Sequence, residues 1–139
     1  MPLPEQDMRV ALRRCAAYEA TAVNDAVRAL GSDLAGGWHR LIPAGARVLL
    51  KPNLLKPATP DQVVCPHPAV VAAVARACLE AGAARVSIGD SPGLGSAARV
   101  AAKSGIAQAA RELGIEVVEF DDTVRVPAPP GFVHRSFTI

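Results

Sequence analysis

The sequence predicts an α/β fold, a three-layer Rossmann-like sandwich built on a mostly parallel sheet. Two observations predict it. Short apolar runs bounded by Gly and Pro alternate with longer stretches of helical spacing, the pattern of βαβ crossovers. The apolar half of the chain (50%) contains few aromatics (4%), so the core is built from Ala, Val, Leu and Ile, which suit tightly packed helix–sheet layers. The 12 prolines punctuate the apolar runs.

Residues 1–7 read as a loose terminus. Met8 to Cys15 alternates apolar and polar residues with period two and predicts a first strand. From Glu19 to Leu30, Ala22, Val23, Ala26, Val27 and Leu30 mark one apolar helical face, with Gly31 as the expected C-cap. Ser32-Asp33 then opens a short second helix through Leu34 and Trp38, interrupted by Gly36-Gly37. Pro43-Ala44-Gly45 turns the chain into a second strand, Arg47 to Leu50. A long Pro-rich loop, Lys56 to Pro66, leads to His67-Pro68, where proline suits the first turn of a helix. That helix carries Val70, Val71, Val74, Ala77, Cys78 and Leu79, and closes at Gly82.

Arg85 to Ser91 is the third strand. It runs into a Gly-rich turn, Pro92 to Ser96, and a helical stretch as far as Lys103. Ser104-Gly105 breaks it, and a further helix covers Ile106 to Leu113. Ile115 to Phe120 is the fourth strand. Val124–Val126 and Val133–Ile139 alternate like two antiparallel edge strands around Pro127-Ala128-Pro129-Pro130-Gly131. The chain ends within that alternation, so the expectation is a single domain over 1–139 that forms the amino-terminal piece of something longer.

Composition narrows the function. The net charge is +2 and the basic residues are scattered, which argues against a nucleic-acid surface. No run approaches 18 apolar residues, so no membrane span is expected. Residues 1–7 lack the basic and apolar regions of a signal peptide, and a cytoplasmic location is the expectation. Cys15, Cys65 and Cys78 match no metal or cluster spacing, so they read as free thiols, Cys78 within the core.

Loops at the carboxyl ends of parallel strands share one edge, so residues distant in sequence converge there. Lys51-Pro52-Asn53 with its long continuation follows the second strand, Gly89-Asp90-Ser91-Pro92-Gly93 the third, and Asp121-Asp122 the fourth. Gly93 and Gly95 permit close backbone approach ahead of a helix amino terminus. The turn therefore reads either as an anion site or as a sharp strand-to-helix turn. It is neither a dinucleotide fingerprint nor a P-loop. Lys51 can pair with such an anion, pair with Asp90, or stay solvated. Asn53 reads as a loop holder through side-chain to backbone hydrogen bonds, or as a ligand contact. Asp90, Asp121 and Asp122 form a carboxylate group that can hold a cation such as Mg²⁺, with the Asp121-Asp122 pair a turn former first, and His67 is a loop or cap residue before it is a base or metal ligand. Ser91 lies outside a G-x-S-x-G elbow, so hydrolase chemistry is not indicated.

Val48-Leu49-Leu50-Lys51-Pro52-Asn53-Leu54, Pro68-Ala69-Val70-Val71, Glu80-Ala81-Gly82-Ala83 and Val86-Ser87-Ile88-Gly89-Asp90-Ser91-Pro92-Gly93, in that order, resemble the domain of unknown function 362 family. The resemblance runs from the first strand to the last and marks Lys51, Asn53, Asp90 and Ser91 as motif positions. It implies that the family domain continues past Ile139. It also implies an association with iron–sulfur proteins whose cysteine runs follow the domain. Any 4Fe-4S cluster would then lie outside these 139 residues, with no cofactor inside them. Two functions follow as expectations. One is an anionic small-molecule site, redox-linked or not, formed by Lys51, Asn53, Asp90, Ser91, Gly93 and Gly95. The other is a non-enzymatic scaffold that self-associates, docks a partner or docks the remainder of its own protein.

Overall fold

The structure is a computed structural model that describes residues 9–120, 122, 124–130 and 136–138. Helix α1 (Ala20–Ala35) and the short α2 (Trp38–Leu41) precede strand β1 (Arg47–Leu50). A 3-10 turn (Pro60–Gln62) interrupts the long loop before α3 (Pro68–Glu80). Strand β2 (Arg85–Gly89), helices α4 (Ala97–Lys103) and α5 (Ile106–Glu112), and β3 (Glu116–Val118) follow. The last two described elements are β4 (Arg125–Pro127) and β5 (Ser136–Thr138).

The main sheet has the order β1-β2-β3 and is parallel throughout. Its register sorts the side chains into two sets, because successive residues of a strand face opposite sides. Val48 pairs with Val86, and Leu50 with Ile88 and through it with Val117. These residues pack with Val71, Ala75, Cys78, Val100, Ile106 and Ala110 in one core. The intervening residues, Arg47, Leu49, Arg85, Ser87, Glu116 and Val118, are exposed or half-buried. The described helices therefore all stack to one side. Helices α3 to α5 lie on the sheet, and α1 lies outside α3 through Val23 and Val27 against Ala73 and Ala77. The three layers run sheet, helix, helix.

Caps explain where the helices begin. His67 caps α3, its Nδ1 accepting from the Ala69 N–H at 3.2 Å, with Pro68 in the first turn. Its ring also stacks on Tyr18, with centroids 3.8 Å apart. This places His67 as a cap. Ser96 caps α4 by accepting from the Arg99 N–H.

Several expectations need correction. Residues 9–15 form no strand, and Met8 lies outside the described residues. Their alternation meets no sheet edge. The segment is instead tied to helices through the Arg13–Asp33 ion pair at 2.6 Å and through Tyr18, leaving Val10 and Leu12 exposed. Helix α1 does not stop at Gly31 but continues to Ala35, with Gly36 as its left-handed cap. Gly31 has a packing role: a Cβ there would lie 2.2 Å from the Trp38 ring, whose Nε1 donates to the Val27 carbonyl at 2.9 Å. Bringing Trp38 against α1 confines the expected second helix to Trp38–Leu41. The two C-terminal strands pair antiparallel with each other as a separate two-stranded sheet, not as edges of the parallel one. Asp121 and residues 131–135 lie outside the described residues.

Candidate functional site

The rim sits where β1 and β2 end. Lys51 and Asp90 emerge from adjacent parallel strands, and the Lys51 Nζ lies 2.5 Å from the Asp90 Oδ1. The other carboxylate oxygen accepts from the Leu54 N–H at 2.7 Å. Asp90 is thus a post that pins the loop after β1 to the strand beside it. A further bond joins the two loops, from the Leu94 N–H to the Leu55 carbonyl. Asp90 is buried, with its side chain 8% exposed, whereas the Lys51 side chain is 59% exposed. Burial pushes the Asp90 carboxyl up. The Lys51 hydrogen bond, the Leu54 and Ser91 backbone N–H groups and the Lys51 charge more than reverse this and hold it below the usual carboxylate range.

Lys51, Asn53, Asp90, Ser91 and Gly93 line one cavity of about 350 Å³, together with Leu54, Leu55 and Val64. The sequence scatters these residues over more than forty positions, and the parallel register brings them together. Asn53 and Ser91 are exposed there. Asn53 makes no side-chain hydrogen bond among the described residues. The loop is held by Asp90 in the place where Asn53 was expected to hold it. Gly95 lies outside the cavity lining. Its φ of +85° makes it the left-handed step into α4, a conformation that favours glycine.

The anionic group at the start of α4 is one of the chain's own side chains. Glu119, one residue past β3, accepts from the Ala97 and Ala98 N–H groups at 2.8 and 2.7 Å. Those two bonds, larger in effect than the opposing burial, hold its carboxyl below the ordinary range, with help from Ser96. The amino terminus of α4 is therefore already satisfied. Sequence reasoning overlooked Glu119. The sequence places an acidic residue at the end of an apolar strand, on the same rim as Lys51 and Asp90, but not that strand's end beside the start of α4.

The cysteines do not fit an iron–sulfur cluster. Among the described residues, no three His, Cys, Asp or Glu side chains come together as a metal would need. Cys78 is buried in the core, which pushes its thiol up, while Cys15 is exposed and Cys65 half-buried. Among the described residues, no helix is long and apolar enough to cross a membrane.

Comparisons with known proteins give the chain's family. A thylakoid-associated protein of Synechocystis sp. is 42% identical over 111 residues, which is 80% of this chain. The matched region is 34% of that relative, so the chain spans about a third of its length. No solved structure matches the chain significantly. The family model for the domain of unknown function DUF362 matches residues 48–139, beginning at β1 with the Val48-to-Leu54 motif and leaving α1 and α2 outside. With its rim motif and most of its length inside that match, the chain belongs to the DUF362 family.

Proposed function

We propose that the rim binds a small anionic molecule, with Lys51 as the cation and Asn53 and Ser91 as neutral hydrogen-bond partners. The observation that carries this reading is the asymmetry of the Lys51–Asp90 pair. The carboxylate is buried and saturated with donors, while the ammonium stands exposed in the cavity. An ammonium has three N–H donors. Asp90 engages one side of it, and the others remain for a ligand. Asp90 positions Lys51 and need not touch the ligand. Gly93 leaves space at the cavity wall, since a Cβ there would meet Leu55 only at 3.6 Å. The reading assigns binding and no reaction. The proposed setting is the cytoplasm, which fractionation of cells expressing the protein tests.

The test is a two-dimensional NMR titration with inorganic phosphate, then with small carboxylates and nucleotides. The expected result is movement of the amides of residues 51–55 and 89–94 with at least one of these anions, abolished in Lys51→Met. Unmoved amides, or the same shifts in Lys51→Met, would overturn the reading. Lys51→Met leaves the buried Asp90 carboxylate with its backbone donors alone and should cost the fold on the order of 3 kcal/mol, so a dispersed native amide spectrum of the variant is required before its titration is read.

A further inference from the structure

The uncovered side of the sheet is out of keeping with its connectivity. Parallel sheets built from βαβ units are normally buried on both faces. Here one face carries α3, α4 and α5, while the other presents a shallow cavity of about 440 Å³. Leu49 (51% exposed), Val118 and Phe120 (40% exposed) supply its apolar wall, and Arg47 stands beside them. Phe120 lies over Gly89, where a Cβ would come within 2.8 Å of its ring. The exposed aromatic is thus seated on the sheet. Leu49 also borders a second groove of about 300 Å³, which runs along β1 and is lined by Leu50, Val70, Val71 and Val74. Among the described residues β1 pairs only with β2, so its outer edge has free backbone groups. One apolar surface therefore wraps from the open face around the β1 edge.

We infer that this surface is covered by polypeptide corresponding to the other two-thirds of the relative's length, laying a strand along β1 and an apolar helix across Leu49, Val118 and Phe120. Three observations select this occupant. The relative is about three times as long as the matched region, which leaves ample chain for a second helical layer. The missing pieces are those that another βαβ unit supplies, an edge strand and a crossover helix. Arg47, exposed beside the apolar wall, calls for a carboxylate on that helix, which a polypeptide provides and a lipid tail does not. The inference is independent of the ligand proposed at the rim.

Cysteine accessibility tests it. Leu49→Cys and, as an exposed reference away from this surface, Leu94→Cys are placed in this chain and at the aligned positions of the full-length Synechocystis relative. Maleimide labelling is then followed by peptide-resolved mass spectrometry, with buried Cys78 of this chain as the internal check that it is folded. In this chain both new thiols should label readily. In the full-length relative the Leu49 position should label at least about tenfold more slowly than the Leu94 position, because a covered site reacts only through local opening. Equal rates in the relative would overturn the inference, since the face would then be open in the longer protein too. Protection of Leu49→Cys in this chain, with a dimer mass by light scattering, would also overturn it and assign the surface to a second copy.

Discussion

The two faces of the parallel sheet are made by alternate residues of the same three strands, yet they have opposite fates. On the covered face Val86 and Ile88 are buried beneath α3 to α5. On the other, Leu49 is half exposed and Arg85 and Glu116 form an exposed ion pair. The difference persists past the strand ends. Asp90 and Glu119 continue the alternation of the covered side, and both carboxylates are consumed in tying loops and helix ends together. Lys51, Ser91 and Phe120 stay accessible, the first two in the rim cavity beside Asp90 and the third on the open face. One face is finished by this chain's own residues, while the other keeps apolar side chains in water. The contrast can be tested by substitution.

The largest effect should come from truncating matched residues on the two faces. Ile88 is 1% exposed, so Ile88→Ala should cost about 3 kcal/mol through lost burial and the cavity left behind. Leu49→Ala should cost less than about 1 kcal/mol, because half of its side chain is already in water. Urea unfolding of the two variants measures both. Equal costs would mean that the open face is closed in solution.

Charge offers the next comparison. Asp90→Asn removes a buried carboxylate that receives Lys51 and backbone donors, and should cost about 2 kcal/mol at pH 7. Glu116→Gln, on the exposed pair, should cost under about 0.5 kcal/mol. The Asp90 effect carries a pH signature. Its folded-state carboxyl lies below its unfolded value, so its stabilisation is complete above the ordinary carboxylate range. It is lost as the pH falls through the depressed folded value. The gap between wild type and Asp90→Asn should therefore be constant from pH 5 to 8, on the order of the full effect, and shrink below about pH 4.

Glu119→Gln should show the same sign with a smaller amplitude. Its carboxyl is likewise depressed, so the loss of thermal midpoint should be seen near neutrality and fade in acid. Because Glu119 accepts from the first N–H groups of α4, amide exchange at Ala97 and Ala98 should accelerate in the variant. If exchange is unchanged, α4 is capped by Ser96 alone.

Most of the sheet was legible in the sequence. Arg47–Leu50 forms β1 as its Gly- and Pro-bounded apolar run implied, and the strand ends delivered Lys51 and Asp90 to one rim. What failed did so because alternation and glycine are ambiguous without a neighbour. Residues 9–15 alternate but have no strand beside them, and Gly31 serves Trp38 where a helix stop was expected. Within the rim, the sequence named the residues but not their division of labour. Lys51 and Asp90 were read as ligand contacts or as a pair with each other, and only the geometry shows the carboxylate buried and its partner exposed. The acceptor role of Glu119 depends on β3 ending beside the start of α4, a three-dimensional adjacency that strand spacing alone does not give.

The smallest effect concerns the loop that borders the rim cavity. Val63, which follows the 3-10 turn, has φ of +54° and is 82% exposed. A β-branched residue is disfavoured in that left-handed conformation by roughly 1–2 kcal/mol, and its exposure gives back little through burial. Val63→Gly removes the strain but adds freedom to the unfolded chain, which offsets about 0.5–1 kcal/mol. The net gain should be below about 1 kcal/mol in urea unfolding. Backbone strain held beside a cavity is often tied to what the cavity binds. Val64, its neighbour, lines the cavity with Lys51 and Asp90, so the substitution separates two roles for the strain. If Val63→Gly stabilises the fold and leaves the phosphate titration of residues 51–55 unchanged, the strained turn is only a connection. If it stabilises the fold while weakening that titration, the strain holds the cavity wall in its binding shape.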